Sequence, residues 1–173
     1  MWKWALGFIA FFGISQQAFA QGADGPSPLG ETVNWELGFH GGSFLPDQIE
    51  GVTEIMRFWG LRGGLRTGSK SFLEVGTSYG SPADENNVDW LDLSLSLRWD
   101  IPLDSVVGIT FIGGDAHYYR PDNKTSRQLY GGGHFGAGVQ SLIGGVVWFR
   151  GELKFNVHPG TSMHINFGLS FRF

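Results

Sequence analysis

The sequence predicts an all-β fold: a closed, eight-stranded, antiparallel up-and-down β-barrel with its apolar face outward. Three observations predict it. Apolar residues alternate with polar or small ones along the chain, most clearly in Met163-His164-Ile165-Asn166-Phe167-Gly168-Leu169-Ser170-Phe171-Arg172-Phe173, where every odd position is apolar. A period of two marks a strand with one greasy face. The composition joins 28 Gly and 15% aromatic residues to only 16% charged ones, against about a quarter charged in soluble domains. Beyond residue 20 no apolar run is long enough for a helix to cross about 30 Å of hydrocarbon.

Residues 1–20 read as a signal peptide. Lys3 supplies a positive n-region, Ala5 to Ile14 an apolar h-region, and Ala18-Phe19-Ala20 the cleavage site, with Gln21 beginning the mature chain. Residues 21–31, rich in Gly and Pro, form an aperiodic flexible segment, and residues 32–173 form the barrel. The chain has no Cys, which excludes lipoprotein processing and disulfide staples. Net charge is -4, and loss of Lys3 with the signal peptide makes it -4 - 1 = -5. No basic patch is present, so a nucleic-acid partner is set aside.

The first strand sets Val33, Trp35, Leu37 and Phe39 against Asn34, Glu36, Gly38 and His40, with a loop expected over 41–51. The second, roughly 53–66, sets Ile55, Trp59, Leu61 and Leu65 against Arg62 and Arg66. Arg57 shares the apolar parity there, so either a bulge shifts the phase or Arg57 sits at the rim. Third come Leu73, Val75, Thr77 and Tyr79 against Phe72, Glu74, Gly76 and Ser78. Fourth come Leu91 to Trp99 against Trp90, Asp92, Ser94, Ser96 and Arg98, followed by a turn over 100–104. The fifth carries Val107, Ile109 and Phe111 up to a loop near 120–127. The sixth sets Leu129, Phe135, Ala137 and Val139 against Tyr130, His134 and Gln140. The seventh sets Val147, Phe149, Leu153, Phe155 and Val157 against Trp148, Arg150, Glu152, Lys154 and Asn156, and the terminal segment is the eighth.

Soluble lipocalin-like barrels share this alternation but turn the apolar face inward, so a periplasmic small-ligand carrier is the alternative to a membrane barrel. Strands of about ten residues fit a tilted bilayer crossing, and the polar face consists of charge pairs and small residues that suit a narrow interior. On that reading Glu36, Arg62, Glu74, Asp92, Arg98, Arg150, Glu152, Lys154 and Arg172 form an interior charge network that plugs the barrel rather than conducting. Trp35, Trp99, Phe149, Phe171 and Phe173 fall near the periplasmic edge, with Tyr79, Phe39 and Trp59 near the other, as an interface girdle. Arg57 at the outer rim would meet lipopolysaccharide phosphates.

Together the signal peptide, the strand count, the alternation of long and short connections and the Phe171-Arg172-Phe173 ending resemble the small eight-stranded outer-membrane barrel family, the class of the OmpA transmembrane domain. The resemblance covers residues 32–173. It implies an integral protein of the outer membrane of a Gram-negative bacterium with a structural or surface-interaction role. It also implies a monomer that meets outer-membrane lipids, lipopolysaccharide and, during biogenesis, the barrel-assembly machinery. Phe171 and Phe173 would serve as its assembly signal. The resemblance is to the barrel alone, so a periplasmic wall-binding domain is not expected.

Lipid A deacylases and palmitoyltransferases are similar in size and format, which makes an enzyme the rival class. The candidates for a nucleophile, base and orienting acid are Ser126, His117 and Asp115, the last two sharing a face at i and i+2. No His-x-Ser-Asn stretch of the deacylase kind occurs. His40, His134 and His164 lie on polar faces as interior hydrogen-bonding groups, and no pair has close ligand spacing, so neither a metal nor a cofactor is expected. Adhesion through the loops at 41–51, 80–88 and 120–127 is a third possibility.

Overall fold

The computed structural model describes residues 35–47, 55–82, 90–119, 128–158 and 160–173. The expected signal peptide, the segment 21–31 and Ser126 lie outside these residues. Eight strands follow in chain order: β1 (Trp35–Asp47), β2 (Met56–Arg66), β3 (Ser71–Pro82), β4 (Trp90–Pro102), β5 (Val107–Tyr119), β6 (Gln128–Gly144), β7 (Val147–Asn156) and β8 (Thr161–Arg172). Each pairs antiparallel with the next and β8 pairs with β1, which closes the sheet. The connections 67–70, 103–106 and 145–146 gather at one end, the turn end, and those after β1, β3, β5 and β7 at the other, the loop end.

The faces sort by parity. On β4, Leu91, Leu93, Leu95 and Leu97 point out from the wall while Trp90, Asp92, Ser96 and Arg98 are buried within. The same division runs through β1, β2, β3, β7 and β8, so the apolar face is the outer one. That orientation removes the carrier alternative, whose apolar face would line the interior.

Closure depends on close approach at the seam. The β1–β8 register runs from Glu36↔Arg172 to Asp47↔Thr161. Beyond it, Trp35 and Phe173 exchange backbone hydrogen bonds at 3.1 and 2.9 Å. Gly42 sits in this seam where a Cβ atom would lie 1.8 Å from the Ile165 carbonyl oxygen. Residues 41–47, expected as a loop, are therefore strand. Their glycines belong to a tight wall, not to a turn.

One open expectation is resolved and two change. β2 pairs without a register shift from Met56 to Leu65, so no bulge exists there and Arg57 points outward with Ile55 and Trp59. β4 continues to Pro102, which places Asp100 inside the barrel and not in a turn. On β5, Val107, Ile109 and Phe111 face inward and are buried, while Gly108 and Ile112 take the outer wall. Phe111 reaches across to Gly136, where any Cβ would meet its ring at 2.3 Å, so the interior makes space for that aromatic. Where β6 passes into β7 the register shifts between Leu142 and Gly144, and Gly145 turns the chain at φ +56°.

Gly42→Val tests the seam. The added side chain must displace the β8 backbone, at the 1–3 kcal/mol or more typical of overpacking. The variant is expected to lose the compact, faster-migrating band that a closed barrel gives on unboiled SDS gels.

Candidate functional site

The interior has three layers, each built by inward positions of neighbouring strands. At the turn end lies a network of ion pairs. Arg98 is fully buried and donates to both oxygens of Glu36 at 3.0 and 2.9 Å, to Glu74 Oε1, and to Asp100 Oδ2 at 3.3 Å, while Asp100 Oδ1 makes an ion pair 2.7 Å from Arg98 Nε. Arg172 donates to Glu36 at 2.9 Å and to Asp100 at 3.1 Å, and Gln140 adds a bond to Asp100 at 3.0 Å. Arg150 bridges Glu74, at 2.7 and 3.2 Å, to Glu152 at 2.7 Å. Glu152 also accepts from Arg62 and, at 2.8 Å, from Asn166. Phe72 lies under the Arg98 guanidinium at 4.2 Å, and Trp148 under that of Arg172 at 4.4 Å. Charge-assisted, partly bidentate bonds of this kind are what make buried charges tolerable.

At the loop end the interior is aromatic. Phe44, Met56, Phe58, Trp90 and Tyr119 form a buried cluster with Tyr130 packed against it. Trp90 stacks on Tyr119 at 4.7 Å, and Tyr119 on Tyr130 at 5.0 Å. The two ends thus close by different chemistry.

Between them lies a polar middle layer. Lys154 donates to Asp92 Oδ2 at 3.1 Å and to Asp115 Oδ1 at 2.7 Å. His134 Nδ1 meets Asp115 Oδ2 at 2.8 Å and its Nε2 meets Ser96 Oγ at 2.8 Å. With Nδ1 donating to the carboxylate, Nε2 accepts from the Ser96 hydroxyl. His40 Nε2 pairs with Ser78 Oγ at 3.0 Å. Ser96–His134–Asp115 has the order of a hydrolytic relay. The adjoining cavity, lined by His40, Ser78, Ser94 and Ser96, is however only about 20 Å³, room for a water molecule and not for an acyl substrate.

The structure therefore places all nine expected network residues on the inner face and divides them into two groups, with Lys154 and Asp92 in the middle and the rest at the turn end. Sequence reasoning missed Asp100, Gln140 and Asn166 as members, whereas His134 takes its expected place as an interior hydrogen-bonding group. Asp115 and His117 are the expected catalytic candidates. Both point into the interior and are buried, away from the outer wall where lipid chemistry would need them. Of the girdle residues, Trp35, Tyr79 and Phe149 are exposed on the outer wall and Trp99 is half-buried. Phe171 and Phe173 are exposed on that wall at the turn end.

Removing Arg98 leaves three carboxylates short of their central cation. Arg98→Met is expected to destabilise by about 3–5 kcal/mol, the loss usual when one partner of a buried pair is deleted, as read by urea unfolding of the barrel in detergent. Arg62→Met should cost less, because Arg150 still satisfies Glu152.

No protein-family model matches this sequence, and no curated protein does. Several solved structures resemble it. The N-terminal β-barrel domain of Pseudomonas aeruginosa OprF superposes with a TM-score of 0.61 at 17% identity, over 82% of this chain and 98% of that one. Neisserial surface protein A gives 0.65 at 11% identity, over 80% and 97%. Ail, the attachment invasion locus protein of Yersinia pestis, gives 0.52 at 10% identity, over 81% and 97%. The chain has the fold of the small eight-stranded outer-membrane β-barrels.

Proposed function

We propose that this chain is an integral outer-membrane β-barrel, closed to conduction, that works through its wall and loop end rather than as a pore. One observation carries the reading: the wall is inside-out relative to a water-soluble barrel. Leu37, Phe39, Leu61, Leu93 and Leu95 are each 53–58% exposed on the outside, while Glu36, Arg98, Arg150 and Lys154 are buried inside. In water such a belt would be one large exposed apolar patch. In lipid it is the ordinary outer surface of a spanning barrel. Strands of 10 to 17 residues have the length to cross it.

Closure to conduction rests on the two sealed ends, the aromatic cluster and the ion-pair network. Eight strands enclose only enough space for side chains to fill. In the membrane the turn end, with Trp35, Phe149 and Phe171, would meet the periplasmic interface, and the loop end would face outward. Arg57, outward beside Trp59 and Tyr79, would then stand at the height of lipopolysaccharide phosphates. The barrel would assemble with the outer-membrane assembly machinery and remain a monomer.

Two measurements test this. Leu93→Arg should cost about 2–4 kcal/mol in phospholipid vesicles, as a cation does on a lipid-facing wall at mid-depth. A change within about 0.5 kcal/mol, usual for a water-exposed site, would refute a lipid-facing wall. In planar bilayers the wild-type barrel should give no stable unitary current steps, and Trp90→Ala/Tyr119→Ala should stay silent too, because the turn end remains sealed. Regular steps from the wild type would overturn closure.

A further inference from the structure

Cross-strand pairing puts Asp92 of β4 directly opposite His117 of β5, and Asp115 lies two residues from His117 on the same inward face. Neighbours so placed stand within reach of one another. One ligand atom from each of Asp92, Asp115 and His117 falls within 4.8 Å of the others, and all three residues are buried. We propose that Asp92, Asp115 and His117 form a binding site for a divalent transition-metal ion of the zinc class.

Two features besides the acidic pair point to a cation. The first is an orphaned imidazole. His117 is fully buried, its Nδ1 faces Asp92 Oδ1 at 3.1 Å and its Nε2 stands 3.9 Å from Asp115 Oδ2. The Nδ1–Asp92 pair is within reach but not aligned as a hydrogen bond, and Nε2 has no hydrogen-bond partner among the described residues. A buried lone pair without a partner is costly, and a metal ion satisfies it. The second is charge. At the turn end Glu36, Glu74, Asp100 and Glu152 face Arg62, Arg98, Arg150 and Arg172, an equal number. In the middle layer Asp92 and Asp115 face the Lys154 ammonium and the imidazoles of His117 and His134. With both imidazoles neutral, that layer is one positive charge short.

The surroundings hold the donors in place as outer partners do in metal sites. His134, itself held by Ser96, fixes the Asp115 carboxylate, and Trp90 packs on the His117 ring at 4.7 Å. Two carboxylate oxygens and one imidazole nitrogen suit zinc and its neighbours, whereas calcium takes six or more oxygens. Lys154 grips Asp92 Oδ2 and Asp115 Oδ1, the oxygens turned away from His117. Its ammonium therefore leaves the metal position open but repels an ion there, which sets the affinity.

The test uses the full-length barrel, stripped with chelator, equilibrated with Zn²⁺ alone and freed of unbound ion by gel filtration. Zinc content, heat-modifiable mobility and the thermal midpoint are read together. The wild type should retain a single equivalent of zinc. Asp115→Asn and His117→Gln should lose it while keeping the compact band, and Lys154→Met should bind about tenfold or more tightly, since a like charge is removed. Lys154→Met should also regain its thermal midpoint when zinc is added. Co²⁺ bound to the wild type should give the strong visible bands of a low-coordinate nitrogen–oxygen site, a readout independent of any variant. The proposal falls if neither the wild type nor Lys154→Met holds zinc. It also falls if zinc persists in folded His117→Gln and Asp115→Asn, which would locate it on surface groups. Should those two fail to fold, equal affinity of Lys154→Met and the wild type overturns it.

Discussion

A carboxylate inside an eight-stranded barrel has nowhere to go for solvation. Eight strands enclose only enough room for side chains, and the wall outside is apolar. Each buried acid must therefore meet a base, and most of the bases are held by more than one acid. Arg98 is the clearest case. Three carboxylates from β1, β3 and β4 converge on its guanidinium, whose planar fork presents donors in several directions at once. Lysine could not replace it there. Lys154 occupies the one position where a single ammonium between two carboxylates suffices.

This requirement explains the rest of the interior. Phe72 and Trp148 lie against guanidinium faces because a stacked ring excludes water without withdrawing a hydrogen-bond donor. Small residues appear where a large neighbour must fit, as Gly136 does opposite Phe111. Where the charges end, towards the loops, aromatic rings fill the lumen instead. Layers of fixed polarity replace a uniform pore lining, and the histidines of the middle layer lie between them.

Much of the architecture is legible in a period of two. Leu91 to Trp99 alternate so regularly that strand, face and inward partners follow from spelling alone, and Arg98 and Asp92 are named by parity. Parity fails where composition misleads. Val107, Ile109 and Phe111 look like an outer face, yet their alternates Gly108 and Thr110 leave them the only bulk to fill the lumen. Asp100 next to Pro102 looks like a turn, but pairing with Ile109 holds it in the wall. The Gly-rich 41–47 look like a loop, because the tight β1–β8 seam that demands glycine is not visible from β1 alone. The same limit hides the middle layer. That Ser96 touches His134, or that Asp92 faces His117, depends on cross-strand register, and register is a property of two strands at once.

Glu36 sits near one end of the chain's strands and Arg172 near the other, yet each holds the other in place. An unclosed sheet cannot make that bond. Until the first and last strands meet, Glu36 and Arg172 lack each other and the seam leaves two strand edges unpaired, both costly in lipid. Neutralising the lumen and sealing the wall are thus a single event. In a bilayer an intermediate sheet would be penalised twice, so insertion there would proceed without a stable half-built species, and a barrel once closed should open only by giving up both gains together.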